Sequence, residues 1–207
     1  MSDNVNEIME RMVPDLRDME ENGIFSHGEI TSIIHKRRGM EYAMSSYSKT
    51  IQDYLTAIQY EINLETLRKM RKNRLGLSKY LKSDSSVVNR THFIFERMIR
   101  RYKSDLNVWL KYVEFCESIG ANGKLGTLFP RILQLHPRAE GVWVKAANWE
   151  MSQGNFSNAR SDFSAFRSLI ALMQRAIRIN KHSQLLWKEY FRFELGLSLA
   201  VLIAVSS

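Results

Sequence analysis

The sequence predicts an all-α chain, in which helical hairpins are stacked as a repeat array behind an N-terminal helical segment. Apolar residues recur at i, i+3 and i+4 along most of the chain, and β-branched runs bounded by turn residues are sparse. Large aromatic residues recur with one fixed spacing, and two of the tryptophans stand 34 residues apart. Together these features indicate helix–turn–helix units that pack on one another as an α-solenoid.

The N-terminal segment, residues 1–50, contains two helical patterns. The first is expected to kink or restart at Pro14 and to end at Gly23. Its apolar stripe consists of Ile8, Met12, Leu16 and Met19. Ser26 and Glu29 then form an S-x-x-E capping box, which predicts the start of a second helix.

Two further helical patterns follow. One begins at about Ile51 and runs toward Gly76. After the polar stretch KSDSS, a fourth pattern carries an apolar stripe of Val88, Phe95, Met98 and Ile99. These patterns open the region of repeats, which we expect to cover residues 51–195.

One aromatic pattern recurs along this region at offsets 0, +3 and +6. The clearest copies start at Trp109, Trp143 and Trp187, and a weaker copy starts at Tyr54. On a helix these offsets share one face about 120° wide, which is typical of core packing rather than of a base-stacking platform. All three of these tryptophans are therefore expected to be buried. The predicted repeat core is Tyr54, Tyr60, Trp109, Tyr112, Phe115, Trp143, Trp149, Trp187, Tyr190 and Phe193.

The spacing between Trp143 and Trp187 is 44 residues, ten more than the repeat length. Removing residues 162–171 restores 34 and leaves a continuous amphipathic pattern, so we interpret these ten residues as an insertion. The insertion could be a natural loop or an error of gene structure. The apolar tail at 196–207 is similarly atypical, and the run from Leu195 to Val205 is shorter than the roughly 20 residues that span a membrane, so no membrane partner is expected.

Composition argues against several functional classes. The single cysteine, Cys116, excludes an internal disulfide, and the five histidines show no metal-ligand spacing. No phosphate-binding, dinucleotide-binding or hydrolase motif occurs. We therefore expect neither enzymatic activity nor a metal or cofactor.

Basic charge is concentrated in the middle of the chain. Residues 36–103 hold 16 basic and 6 acidic side chains, whereas the whole chain has a net charge of +8. Two groups of cations have helical spacing, and both are candidates for contact with RNA phosphates or with an acidic protein. The aromatics near them look committed to the core, which favours a solvated face or protein docking over RNA. The candidate residues are Arg68, Arg71, Lys72, Arg97, Arg100 and Arg101.

The repeated motif W-x-x-[YA]-x-x-[FW]-E, with a second helix similar to A-R-x-L-x-x-R-A-I, resembles the half-a-TPR (HAT) repeat of RNA-processing proteins. The N-terminal part is similar to the U-three small nucleolar RNA-associated protein 6 family. The motifs that carry this resemblance occur together and in order: Glu29-Ile30, Lys36-Arg37-Arg38, Glu41-Tyr42, Tyr60-Glu61, Arg71 and Arg74-Leu75-Gly76. Members of that family are longer, so the chain corresponds to their N-terminal part.

The resemblance implies a non-catalytic scaffold of the small-subunit processome, in its UtpB assembly, in the nucleolus of the nucleus. Its implied partners are other processome proteins, and U-three snoRNA and pre-rRNA, either directly or through those proteins. Two alternatives stay open at this point. One is a direct RNA-binding protein that uses residues 36–103, and the other is a HAT-repeat splicing or cleavage factor.

Overall fold

The computed structural model describes the backbone of residues 2–153 and 163–206, and the side chains of residues 5–153 and 168–196. Helices dominate these ranges, and no strand occurs within them. The helices are α1 (Ser2–Glu10), α2 (Val13–Glu21), α3 (His27–Ser45), α4 (Ile51–Arg74), α5 (Ser86–Arg101), α6 (Leu106–Ser118), α7 (Asn122–Leu135), α8 (Glu140–Gln153), α9 (Phe163–Ile179) and α10 (Gln184–Ser206). A short 3₁₀ turn, Lys82–Asp84, precedes α5.

The chain forms two compact units, residues 1–102 and residues 103–207. The first unit contains α1 to α5, and the second contains α6 to α10. The predicted boundary after residue 50 therefore falls inside the first unit, because α3 packs directly against α4.

Local signals set the ends of the first helices. The helical pattern breaks before Pro14, which lies in the first turn of α2, and Gly23 follows α2 with a φ of 69°. The Ser26 side chain accepts the N–H of Glu29, whose carboxylate accepts the N–H of Ser26, so the predicted capping box opens α3. The Met19 side chain is fully buried in the core of this unit.

Helices α4 and α5 form the first hairpin. Thr50 and Asp53 make a second capping box at the start of α4, and Gly76 ends the helix with a φ of 65°. On α5 the Ile94, Met98 and Ile99 side chains are completely buried. Of the stripe expected from the sequence, Phe95, Met98 and Ile99 are buried, but Val88 is half-buried and its neighbour Val87 is completely buried instead.

Each hairpin is closed at its base by the same kind of hydrogen bond. The residue that ends the second helix donates to the backbone carbonyl just before the first helix. The pairs are Tyr102 Oη to Lys49 O (2.9 Å), His136 Nε2 to Lys103 O (3.0 Å) and Asn180 Nδ2 to Pro137 O (3.1 Å). The separations along the chain are 53, 33 and 43 residues, so the closure does not depend on the length of the hairpin.

The repeat tryptophans use backbone carbonyls in the same way. Each indole N–H donates to the carbonyl six residues earlier: Trp109 to Lys103 (3.0 Å), Trp143 to Pro137 (2.9 Å) and Trp187 to Lys181 (3.2 Å). Because the acceptor is the backbone oxygen, proline and lysine serve equally well at this position.

The three repeat tryptophans differ in how far their side chains are buried. Trp109 and Trp143 are 2% and 1% exposed, respectively, whereas Trp187 is 43% exposed, so the expectation that all three are buried is wrong for Trp187. The Arg131 guanidinium of the following helix, α7, covers the Trp109 ring at 5.2 Å. In the described part of the chain α10 is the last helix, and no later helix covers Trp187.

The other predicted core aromatics are buried to different degrees. Tyr54, Tyr112 and Phe193 are buried, and Tyr60, Phe115, Trp149 and Tyr190 are half-buried. Trp149 lies 5.6 Å from Phe129, measured between ring centroids, and its ring passes 3.3 Å from where a Cβ at Gly126 would stand. Gly126 therefore makes room on α7 for the tryptophan of α8.

The predicted insertion, Asp162 to Ala171, lies partly outside the described residues. Its backbone from Phe163 onward belongs to α9, and Leu169 is only 2% exposed. When the closures at His136 and Asn180 are aligned, Leu169 falls on the position of Leu125, which is equally buried. The inserted stretch therefore supplies one residue of the hairpin core.

We predict that truncating the two buried repeat tryptophans destabilises the second unit far more than truncating the exposed one. Trp109→Ala and Trp143→Ala should each lower the free energy of unfolding by about 3–5 kcal/mol, since each leaves a cavity. Trp187→Ala is the matched control, and its cost should stay below about 1 kcal/mol. Urea unfolding followed by circular dichroism measures all three, and equal costs would contradict this account of the repeat.

We also predict that the position of a ten-residue deletion decides its effect. Deleting residues 155–164 keeps Leu169 in its core position and should leave stability nearly unchanged. Deleting residues 162–171 places Ala159 there instead and should cost about 2–4 kcal/mol, as a leucine-to-alanine change does. Thermal unfolding of the two variants distinguishes these outcomes, and a 162–171 deletion that is as stable as the parent chain would show that Leu169 is dispensable.

Candidate interaction surfaces

The motifs that carry the family resemblance meet in a buried network of charges in the first unit. Glu61 of α4 accepts hydrogen bonds from Arg37 Nε and Nη2 at 2.8 and 2.6 Å, and from Arg90 Nε at 2.8 Å. Arg90 Nη2 also donates to Glu41 at 3.0 Å, and Arg97 Nη1 donates to the second oxygen of Glu41 at 2.6 Å. The network therefore joins α3, α4 and α5 through five charged side chains.

Because this network is buried, its ion pairs matter for the stability of the fold. Glu41 and Glu61 are completely buried, and Arg37 is 3% exposed. A buried charge is costly unless it is paired and hydrogen-bonded, and here each carboxylate holds two guanidinium groups. The Met12 sulfur lies beside the Nη1 atoms of Arg37 and Arg90, so the network also touches the start of α2. These residues fix the arrangement of the helices, and Arg37, Glu41, Glu61 and Arg90 are too buried to reach a ligand.

A second cluster surrounds Arg68 on α4. Its guanidinium donates to both oxygens of Glu65 at 2.8 Å and also to Asp84 in the 3₁₀ turn. Lys72 pairs with the same Asp84 carboxylate. Burial alone would raise the pKa of Asp84, but the N–H of Leu81 and the two cations outweigh it and lower that pKa. The Ser83 N–H donates to Asp18, which ties the turn to α2.

A third cluster joins α4 to the beginning of α3. Arg71 donates to the two oxygens of Glu29 at 2.7 and 2.8 Å and to the carbonyl of Ile24 at 3.1 Å. Its guanidinium also lies 4.9 Å from the ring of Phe25. The hydrogen bonds from Arg71, together with the N–H of Ser26, lower the pKa of Glu29 to about 2. Glu29 thus serves the capping box and the helix pair at once.

The structure revises the two candidate contact stripes. We expected Arg68, Arg71 and Lys72 to be available for contact with a partner. This prediction is wrong for Arg68, which is 3% exposed, and Arg71 and Lys72 form ion pairs with Glu29 and Asp84. In the other stripe Arg97 is held by Glu41, whereas Arg100 and Arg101 are exposed. Of the six predicted contact residues, only Arg100 and Arg101 are exposed and form no ion pair with another described residue.

The assumption that the aromatics near the second stripe belong to the core is also wrong. Phe93, one turn before Arg97, is 44% exposed, and Tyr47, near the end of α3, is 96% exposed. Sequence periodicity could have identified Phe93, because it lies on the helical face of Arg97 and Arg100 and off the apolar stripe of α5. Tyr47 lies between two helical patterns, where burial is not predictable.

A separate apolar groove runs between α3 and α4. It has a volume of about 260 Å³, and its lining includes Ile33, Tyr60, Leu64 and Leu67. The Lys36 ammonium lies 5.7 Å from the Tyr60 ring at its edge. Met70, three residues after Leu67 on α4, is 58% exposed. The mostly apolar lining of the groove suits an apolar peptide segment of a protein partner.

Two kinds of site do not occur in the part of the chain that the structure describes. None of its groups of histidine, cysteine, aspartate and glutamate could hold a metal ion. None of its helices combines the length and the hydropathy needed to cross a membrane.

Comparison with known proteins separates the two parts of the chain. The family model of the U3 small nucleolar RNA-associated protein 6 matches residues 9–92. The model of the pre-mRNA-splicing factor Syf1/CNRKL1 N-terminal HAT repeat matches residues 91–200. The match to the U3-associated family model therefore covers most of the buried charge network. The match to the HAT-repeat model covers the hairpins of the second unit.

Individual relatives resemble almost the whole chain. The U3 small nucleolar RNA-associated protein 6 of Schizosaccharomyces pombe is 37% identical over 95% of this chain and 38% of its own length. The homolog from Homo sapiens is 34% identical over 94% of this chain and 31% of its own length. The homolog from Dictyostelium discoideum is 26% identical over 93% of the chain. The chain thus spans about a third of the length of these relatives.

We predict that the Glu61 carboxylate is required for the stability of the first unit. Glu61→Gln keeps the shape but removes the ion-pair partner of the buried Arg37 and leaves Arg90 with Glu41 alone, which should cost about 3–5 kcal/mol. Glu7→Gln removes the exposed partner of Arg11 and is the matched control, with an expected change below about 0.5 kcal/mol. Chemical denaturation measures both variants. A cost below about 1 kcal/mol for Glu61→Gln would mean that apolar packing alone holds these helices.

Proposed function

The chain belongs to the U3 small nucleolar RNA-associated protein 6 family, and on that premise we propose that it is a non-catalytic scaffold in ribosome biogenesis. The observation that carries this proposal is the placement of the family motifs. Inside the first unit Arg37 pairs with Glu61, and Arg90 joins Glu61 to Glu41, so these side chains hold three helices together. Residues used in this way build a rigid body for partners rather than a reaction centre.

The proposed setting is the U3 snoRNP and the small-subunit processome of the nucleolus, with the UtpB assembly as the immediate environment. There the chain would support processing of the small-subunit pre-rRNA by holding other processome proteins. The apolar groove between α3 and α4 supplies a surface for one of them, since Leu67 and Met70 are exposed beside it. A partner's apolar segment would bury these side chains at the interface core.

The match to a splicing-factor repeat model supports a second candidate, a role in pre-mRNA processing. That match covers residues 91–200, where the hairpin closures use backbone carbonyls and suit any repeat of this type. Residues 9–92 hold the side-chain network and match the U3-associated family. We therefore favour ribosome biogenesis, because the more specific part of the chain carries that resemblance.

Affinity purification of the tagged chain from cells, with and without ribonuclease treatment, tests the proposal. We expect U3 snoRNA and processome proteins to co-purify, and the proteins to remain after the RNA is digested. Leu67→Glu with Met70→Glu should release at least one of those proteins. Leu135→Glu with Leu185→Glu, two leucines of similar exposure in the second unit, is the matched control.

Two results would contradict the proposal. Recovery of spliceosomal small nuclear RNAs in place of U3 snoRNA would support the pre-mRNA alternative. Loss of all protein partners after ribonuclease treatment would indicate that the chain is tethered only through RNA.

A further inference from the structure

An open cationic cleft lies at the end of α5 in the first unit. Its volume is about 390 Å³, and four cations stand around it, on α5 and on the connection between α3 and α4. These cations are Lys49, Arg97, Arg100 and Arg101. The floor is apolar, since the cleft reaches down to the buried side chains of Met44 and Tyr54.

The four cations around the cleft differ in whether they are paired within the described residues. Arg97 is bound to Glu41, but Lys49, Arg100 and Arg101 form no ion pair among the described residues. Arg97 and Arg101 lie near enough to the Tyr54 hydroxyl to oppose the increase in its pKa that burial causes. Unpaired cations around one concave surface make it a strong attractor for anionic groups.

Two exposed aromatic residues lie close in sequence to the cations of the cleft. Phe93 shares a helical face with Arg97 and Arg100, within about 60°. The Arg97 guanidinium lies 5.4 Å from one face of that ring, and the ring is 44% exposed. Tyr47, two residues before Lys49 in the connection, is 96% exposed. Each exposed ring thus belongs to a residue within four positions of a cleft cation, and exposed rings can stack on the planar groups of a ligand.

We propose that this surface binds single-stranded nucleic acid, with phosphates in the cleft on Lys49, Arg100 and Arg101 and bases stacked on Phe93 and Tyr47. The combination of cations and stackable rings favours this ligand class. An acidic peptide would use the cations but not the rings, and a duplex would hide its bases. The inference goes beyond the scaffold role and does not depend on it, because a scaffold that contacts proteins alone needs no such surface.

The first test measures charge. Fluorescence anisotropy measures binding of a labelled twelve-nucleotide oligouridine to the purified full chain. The affinity should fall as the salt concentration rises, and the slope of log affinity against log salt concentration should be about −2 for three phosphate contacts. Arg100→Gln with Arg101→Gln should weaken binding about 20-fold at 0.1 M salt and reduce the slope by about 1.4. Lys111→Gln with Lys124→Gln removes two exposed cations of the second unit and should change neither value.

The second test measures stacking. Phe93→Ala and Tyr47→Ala should each weaken oligouridine binding about tenfold without changing the salt slope, because they remove no charge. Circular dichroism and thermal unfolding verify that each variant keeps its fold. Duplex RNA of equal length should bind more weakly than the single strand and should not respond to either substitution.

Three results would overturn the inference. The first is an absence of oligouridine binding at 50 mM salt, and the second is an equal loss in the Lys111/Lys124 control. The third is a twelve-residue polyglutamate that displaces the RNA at equal concentration, which would assign the cleft to an acidic protein. Each can occur while the chain still co-purifies with processome proteins, so the scaffold proposal is judged separately.

Discussion

The first unit depends on two carboxylates that are fully removed from water, Glu61 and Glu41. Their charges would make the folded state costly if they were unpaired, and they are tolerated because Arg37, Arg90 and Arg97 surround them. Hydrogen bonds to a carboxylate have direction as well as strength, so they fix how α3, α4 and α5 are rotated and shifted against one another. Apolar side chains alone would permit several registers. Further along α4, Arg68 and Arg71 form similar ion pairs, so this helix is tied by charge to α3, to α5 and to the 3₁₀ turn.

The second unit relies on the carbonyl closure that the first unit also has, between Tyr102 and Lys49. Its hairpins close onto backbone carbonyls of Lys103 and Pro137, which accept from the repeat tryptophan and from the residue that ends the second helix. A carbonyl is present whatever the side chain, so this design tolerates substitution at the acceptor and extra length in the hairpin. The first unit needs particular residues, because its ties are ion pairs. Residues 9–92, which hold most of these ion pairs, match the U3-associated family model, and residues 91–200, which hold the closures of the second unit, match a splicing-factor HAT-repeat model.

The same contrast determines what the sequence could predict. Helix ends were predictable because capping boxes and glycine stops act within a few residues, as at Ser26 and Gly76. The ion pairs were not, because the partners lie far apart: Glu61 is 24 residues from Arg37, and Arg97 is 56 residues from Glu41. Charged residues with helical spacing look alike whether they face water or a buried carboxylate. The exposure of Trp187 also depends on what packs above it, which its own repeat pattern does not encode.

Arg97 links the buried network to the cationic cleft. The five side chains of the network are three guanidinium groups and two carboxylates, an excess of one positive charge among them, and the most exposed of them, Arg97, lies at the cleft. The positive potential there is therefore set by the folded core and not only by mobile surface side chains. A phosphate held beside Arg97 would offset that residual charge, and a ligand that binds only the folded state stabilises it. Occupation of the proposed nucleic-acid surface and stability of the first unit are thus coupled through a single side chain.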